Sequence, residues 1–265
     1  MNKFHKISVG IIISFLSIQS ASAEPYVGLS LGWAFNQKLS SITGNENVNY
    51  PSPYDNSNPD TTLYKGTNYS DLNLKDTLTG GVKAGYYFDS APNWGLELEF
   101  NYSKPNMLRQ NVTLTNPNFQ NVTWLGQTSA TEDQLPASVK LFQFNLNALY
   151  RYQELGNFIP YIGAGPSLNI MRITGTGYSG IFVDPAYGDT NSCAGNSCPN
   201  VSQTSVNLGI NFKLGAEYKF DKDWGVAGEY HYNWSPVDID NFRSASNLKS
   251  DYEAHSLSVV LMRHF

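Results

Sequence analysis

The feature that most constrains this chain is an alternation of period two that returns eight times, with connections between the runs that are by turns short and long. In the clearest run Leu208, Ile210, Phe212, Leu214, Ala216, Tyr218 and Phe220 share one parity, while Ser205, Asn207, Asn211, Lys213, Glu217 and Lys219 share the other. Asp221-Lys222-Asp223 then reverses the chain, and Trp224, Val226, Tyr230, Tyr232 and Trp234 alternate with Ala227, Glu229, His231 and Asn233. Period two puts successive side chains on opposite faces of a strand. These residues therefore predict a β-hairpin with one apolar and one charged face.

Six further runs follow the same rule. They span Tyr26 to Phe35, Thr77 to Phe88, Trp94 to Tyr102, Val139 to Tyr152, Phe158 to Ile170 and Ser256 to Phe265. The run from Phe158 contains Pro160 and Pro166, which makes it the weakest strand on sequence grounds. Strands two to three, four to five and six to seven are joined by about three to six residues. The other connections are polar stretches of roughly 18 to 40 residues, and such an asymmetry is that of an up-and-down barrel crossing a membrane. The expected fold is all-β: an eight-stranded antiparallel transmembrane barrel with three short periplasmic turns and four long extracellular loops.

Hydropathy alone would not say this, since the mean is −0.34. The composition supports it through low charge (15%), many aromatics (14%), 17 Tyr and 22 Gly, a profile of strands and turns. A soluble lipocalin-like barrel would put the continuous apolar face inside. Periodicity does not distinguish the two. The aromatic strand ends, the lopsided connections and the terminal aromatic residue favour the membrane.

Residues 1–23 combine a basic start (Lys3, Lys6), an apolar run from Ile7 to Ile18 and Ala21-Ser22-Ala23, the pattern of a cleaved signal peptide. Residues 24–265 are then the barrel domain. Without Lys3 and Lys6 the 17 basic residues become 15 against 22 acidic ones, a net charge of 15 − 22 = −7. No basic patch suited to nucleic acid remains.

The layout, the Tyr26-Val-Gly-Leu-Ser-Leu-Gly32 opening, Tyr161-Ile-Gly-Ala-Gly165, Leu214-Gly-Ala-Glu-Tyr218 and the terminal Phe265 resemble the small outer-membrane β-barrel superfamily. That group includes the OmpA transmembrane domain, OmpX, the opacity proteins and bacterial surface antigens. The resemblance implies residence in the outer membrane of a Gram-negative bacterium. It also implies contact with outer-membrane lipid and lipopolysaccharide, and recognition by the barrel-assembly machinery through Leu257, Val259, Leu261 and Phe265. Arg263 departs from the usual assembly signal, which has an apolar or aromatic residue there; its long stem allows it to snorkel at the rim. OmpA continues into a peptidoglycan-binding domain, an anchor not expected where the chain ends at the barrel.

In a membrane barrel the charged parity faces the lumen. Lys83, Glu97, Glu99, Arg151, Lys213, Glu217, Lys219, Glu229 and His231 form the expected lumen network, because charges removed from water persist only when paired. Eight strands leave room for side chains rather than an open pore, although a narrow ion path is a second possibility. A catalytic reading would use His231 with Glu229 and Ser235, in the manner of lipid A deacylases. Against it, His231 has lumen parity and the His-x-Ser-Asn motif is absent. The expectation is therefore a non-enzymatic protein. His255 and His264 lack metal-ligand spacing, and no metal or cofactor is expected.

Cys193 and Cys198 in the third long loop are read as a local disulfide, as suits a secreted chain. The loops are rich in Tyr, Asn, Ser and Thr, and include Tyr50-Pro-Ser-Pro-Tyr54 and the near-repeat at Asn111 and Asn121. Polar, Tyr-rich loops on a rigid scaffold suit binding of a host or environmental ligand.

Overall fold

The computed structural model describes residues 24–50, 60–117, 129–134, 136–176, 183–184, 188–189, 200–239 and 245–265. The segment read as a signal peptide, the Pro51 to Tyr54 stretch, the triplet at Asn121, and Cys193 and Cys198 lie outside these residues. The strands are β1 (Glu24–Tyr50), β2 (Asp60–Tyr69), β3 (Leu72–Asn73), β4 (Thr77–Phe88), β5 (Ala91–Ser103), β6 (Gln110–Thr115) and β7 (Ser129–Gln134). They continue as β8 (Ala137–Arg151), β9 (Phe158–Thr176), β10 (Val183–Asp184), β11 (Gly188–Asp189), β12 (Asn200–Lys219), β13 (Trp224–Ile239) and β14 (Ala245–His264).

Eight of them form a closed ring in the order β1, β4, β5, β8, β9, β12, β13, β14, every pair antiparallel, with β14 returning to β1 from Tyr26↔His264 to Glu46↔Ala245. The strand with two prolines is continuous, and Pro166 pairs with Ile210. Beside the ring, β2 pairs with the upper part of β1, β6 with β2 and β7 with β6. These strands form an annex above the barrel. The Asn111 triplet lies on β6.

The outer surface settles which face is which. Leu29, Leu31, Leu78, Leu98, Leu146, Ile162, Leu208, Leu214, Leu257 and Val259 each expose more than half of their surface, all pointing outward. Scattered exposed apolar residues are ordinary, but a continuous belt this large requires lipid. Aromatics fringe it: Trp94 stacks edge-on against Tyr150 at 5.1 Å, and Tyr86 against Phe88 at 5.1 Å, near the short turns. On β13 the ten residue steps from Trp224 to Trp234 cover about 25 Å at a tilt near 40°, the height of an apolar band. The lipocalin-like alternative, with its apolar face inside, does not hold.

The strands are longer than the alternation suggested, and the reason is physical. Beyond the band the pattern inverts. On β8, Phe142, Phe144, Leu146 and Tyr150 face outward, whereas Ala137, Val139 and Leu141 face inward and are buried. On β14, Leu257, Val259 and Leu261 are outward, and Leu248, Tyr252 and Ala254 inward. On β1 the inversion falls on a bulge between Phe35 and Lys38, where Asn36 takes a φ of 50°. Asn tolerates this left-handed backbone better than most residues. Inside lipid the outer face must be apolar; above it the outer face meets water and the lumen becomes the core. Leu39, Ile42, Leu74, Met107, Val139, Leu141, Met171, Ile173, Val237, Ile239, Leu248 and Tyr252 form that core, an apolar plug in the extracellular half.

Candidate functional site

Below the plug, the membrane-level lumen is filled by a buried charge cluster. Lys83 Nζ donates to both oxygens of Glu229 at 2.6 Å and lies 3.7 Å from Glu97 and 3.7 Å from Glu99. Lys213 Nζ donates to Glu97 and lies 3.0 Å from Glu99 Oε2. The hydroxyl of Tyr26 donates to Glu97 Oε2 at 2.8 Å, and that of Tyr161 donates to Glu229 Oε1. His231 Nε2 sits 3.0 Å from Glu229 Oε2. All eight of these residues are buried.

This cluster is built twice. In one half Tyr26 is registered on Gly85 and Gly28 on Lys83; in the other Tyr161 is registered on Gly215 and Gly163 on Lys213. The next strand of each half adds Glu97 and Glu99, or Glu229 and His231, opposite the same Gly and Lys. The motifs are Tyr-x-Gly, Lys-x-Gly and Glu-x-Glu/His. Each lysine then crosses the lumen to the glutamate of the other half, so the two halves clasp reciprocally. The glycines matter because a side chain there would collide with the lysine stems: a Cβ on Gly28 would lie 2.9 Å from Lys83 Cγ, and one on Gly163 2.9 Å from Lys213 Cγ. The glycine opposite each lysine was the available sequence signal, and alternation of polarity alone does not expose it.

A second cluster closes the periplasmic end. Glu24 accepts from Arg151 Nη2 at 2.5 Å and from Lys219, and lies 3.1 Å from His264 Nδ1; His264 Nε2 lies 2.6 Å from Glu217. Arg151 also packs its guanidinium 3.5 Å from the Tyr87 ring centroid and donates to the Pro92 carbonyl. Thus the nine charged residues read from parity fall into two groups, with Arg151, Glu217 and Lys219 below and the other six in the membrane-level clasp. Glu24 and His264 belong to the lower group and were missed, because they sit at the chain ends of the barrel where the alternation is shortest. His264 is thus a second buried lumen histidine beside His231.

Between clasp and plug, Ser30, Thr79, Asn101, Gln143, His231, Asn233 and Ser258 help line a cavity of about 20 Å³, room for about one water. Ser235 lies four residues along the strand from His231, about 13 Å at strand rise, and this separation keeps it from the imidazole. Glu99, Glu229 and His231 bring ligand atoms within 4.8 Å of one another, a trio that sequence spacing did not reveal. The ammoniums of Lys83 and Lys213 already occupy its carboxylates. Above the band, Glu253 and Asp71 flank Lys38 at 3.4 and 3.6 Å, and the Glu253 carboxylate holds its ammonium above the ordinary lysine range. At the lower rim Leu257, Val259 and Leu261 face lipid, Phe265 N donates to the Pro25 carbonyl at 3.0 Å, and Arg263 lies 5.5 Å from the Trp224 ring and 5.1 Å from Phe265.

A closed ring of eight antiparallel strands with an apolar outside and an ion-paired inside is a transmembrane β-barrel. Residues 10–265 match the outer membrane protein beta-barrel domain family, and the chain belongs to it. It is a protein of the Gram-negative outer membrane. No curated relative matches the sequence. Among solved structures, neisserial surface protein A is 16% identical, with 90% of this chain and 99% of that one covered and a TM-score of 0.37. The outer membrane protein OprG from Pseudomonas aeruginosa is 13% identical (91% and 96% covered, TM-score 0.38). Ail, the attachment invasion locus protein of Yersinia pestis, is 10% identical in its complex with the heparin analogue sucrose octasulfate (91% and 99% covered, TM-score 0.37).

Proposed function

We propose that this protein is a non-enzymatic, non-conducting barrel that supports the envelope and carries a surface for interaction above the membrane. The observation that carries the reading is the filling of the lumen at two heights, by the Lys83/Lys213 clasp and by the apolar plug around Leu141, Met107 and Tyr252. A solute would have to part both. The same plug makes the wall above the membrane a packed sheet, to which β2, β6 and β7 add breadth, so that the loops stand on a rigid base suited to recognition.

The test is complementation of a deletion strain with two forms, the full chain and one whose residues 46–64 are replaced by a short Gly-Ser turn. Both should restore resistance to detergent, and only the full chain should restore attachment to surfaces. The proposal fails if the trimmed form restores both properties, or if the full chain restores neither.

A further inference from the structure

The charges of the membrane-level clasp do not balance. Lys83 and Lys213 face three carboxylates, Glu97, Glu99 and Glu229, so with a neutral imidazole on His231 the cluster holds one negative charge in excess. The lower cluster is even, with Arg151 and Lys219 against Glu24 and Glu217. A charge removed from water and left uncompensated is costly, and the excess at the clasp asks for a partner.

The atoms immediately above the clasp say what kind of partner. His231 Nε2 meets Glu229 Oε2 at 3.0 Å, and a carboxylate only accepts, so the imidazole proton sits on Nε2 and Nδ1 presents a lone pair. That lone pair faces Glu99 Oε2 at 4.0 Å, too far for a hydrogen bond, and neither atom has a hydrogen-bond partner. Lys213 Nζ lies 3.0 Å from the same Oε2 without hydrogen-bond geometry. Asn145 Oδ1 and Nδ2, Ser167 Oγ, Asn211 Oδ1 and Asn233 Oδ1 are unpartnered as well, and all six residues are at most 6% exposed. Strand pairing gathers them into one layer of the lumen. Asn145 is registered opposite both Glu99 and Ser167, and Asn211 opposite Asn233, two residues along β13 from His231.

The orientation of Asn211 is dictated from below. Asn147 turns its Nδ2 to the Glu97 carboxylate, so its Oδ1 accepts from Asn211 Nδ2, and the Asn211 oxygen is left facing the lumen. The layer thus offers five lone-pair atoms, from Glu99, His231, Asn145, Asn211 and Asn233, against one free amide donor on Asn145. A water brings two donors, and the cavity against His231 and Asn233 has room for about one. Such a surplus of acceptors beside an excess negative charge suits a cation better than water.

We propose that this layer binds one monovalent alkali cation, with Glu99 Oε2 as its anionic ligand and the amide oxygens of Asn145, Asn211 and Asn233 as neutral ones. One positive charge neutralises the clasp, whereas a divalent ion would leave it positive beside two ammoniums. Carboxylate and amide oxygens are ligands for hard cations of this kind. The ion is enclosed between clasp and plug, so it is taken up as the barrel folds and belongs to the folded structure. The site goes beyond the surface role proposed above and does not rest on it.

The experiment is urea unfolding and refolding of the full barrel in neutral-detergent micelles, at one pH and one ionic strength, in KCl, NaCl or choline chloride. Choline is too large for the layer. Raising the alkali ion to about ten times its dissociation constant should lower the unfolding equilibrium constant about tenfold relative to choline. Glu99→Gln, which cancels the excess charge in place, should unfold alike in all three salts. In crystals grown with Rb+ in place of the alkali ion, an anomalous peak should lie between Glu99, Asn145 and Asn233. Equal unfolding of wild type in the three salts overturns the proposal, and is the result expected if a proton on His231 or a water fills the place instead. An undiminished alkali response in Glu99→Gln also overturns it, because the ion would then sit elsewhere. The salt comparison on wild type stands even where the variant fails to fold.

Discussion

Replacing Lys213 with Met isolates the energetics of the clasp. Methionine keeps most of the stem that packs over Gly163 and removes the ammonium, leaving Glu97 without its closest cation and Glu99 with one lysine, Lys83 at 3.7 Å, and with His231 Nδ1 at 4.0 Å. Both carboxylates are buried. Breaking a buried pair by deleting one partner costs about 3–5 kcal/mol, because the remaining charge keeps its desolvation penalty without compensation. Removing a carboxylate as well should return much of that loss, so Lys213→Met/Glu99→Gln is expected to lie above the sum of the single variants by more than about 1 kcal/mol. Urea unfolding in lipid vesicles, followed by tryptophan emission and by the gel shift of the folded form, measures all four proteins. Because the clasp is duplicated, Lys83→Met should cost about the same as Lys213→Met. A loss below about 1 kcal/mol for both lysines, or strict additivity in the cycle, would refute the reasoning that these charges hold the two halves together.

Further outcomes follow from other parts of the molecule. Gly163→Val would drive a side chain into Leu149 and Lys213, whose atoms lie 2.5 and 2.9 Å from a Cβ there; overpacking costs about 1–3 kcal/mol, read in the same unfolding assay. Met107→Ala, in the plug, should lose about 2–5 kcal/mol through the cavity it leaves. His231→Ala should leave lipid A acylation unchanged by mass spectrometry, and a changed acyl pattern would restore the catalytic reading. Phe265→Ala should slow assembly by the cellular machinery far more than unassisted folding into vesicles, compared by the rate at which the gel-shifted form accumulates.

Much of the fold was legible because lipid imposes one rule on every strand it touches: the residues facing it are apolar and alternate with those facing the lumen. That rule gave the eight strands, the three short turns and the parity of Lys83, Glu97, Glu99, Lys213, Glu229 and His231. It failed where its cause ends. Above the belt water replaces lipid, the apolar parity moves inward at Leu141 and Met171, and runs that continue as strands read as polar loop. β13 and β14 thus reach Ile239 and Ala245, leaving a far shorter connection than the alternation implied. The pairing within the lumen was hidden for another reason. Alternation reports which face a charge is on, while the partners of Lys83 and Lys213 lie across the barrel and depend on register. The repeated Tyr-x-Gly and Lys-x-Gly motifs carried part of this information, since a glycine opposite each lysine is what lets its stem lie along the wall. Glu24 meets His264 where β14 closes onto β1, and their other partners, Arg151, Glu217 and Lys219, stand on β8 and β12, so these contacts depend on the closed ring rather than on alternation.

The most direct test of the account is electrical. Wild-type barrel, shown folded by its gel shift, is inserted into planar bilayers in 1 M salt beside the plug variant Met107→Ala and the clasp variant Lys83→Met/Lys213→Met. A lumen closed at two heights predicts no discrete conductance steps from wild type or from either variant alone, since each retains one seal. Regular conductance steps from the wild-type protein would contradict the claim that the clasp and the plug close the barrel.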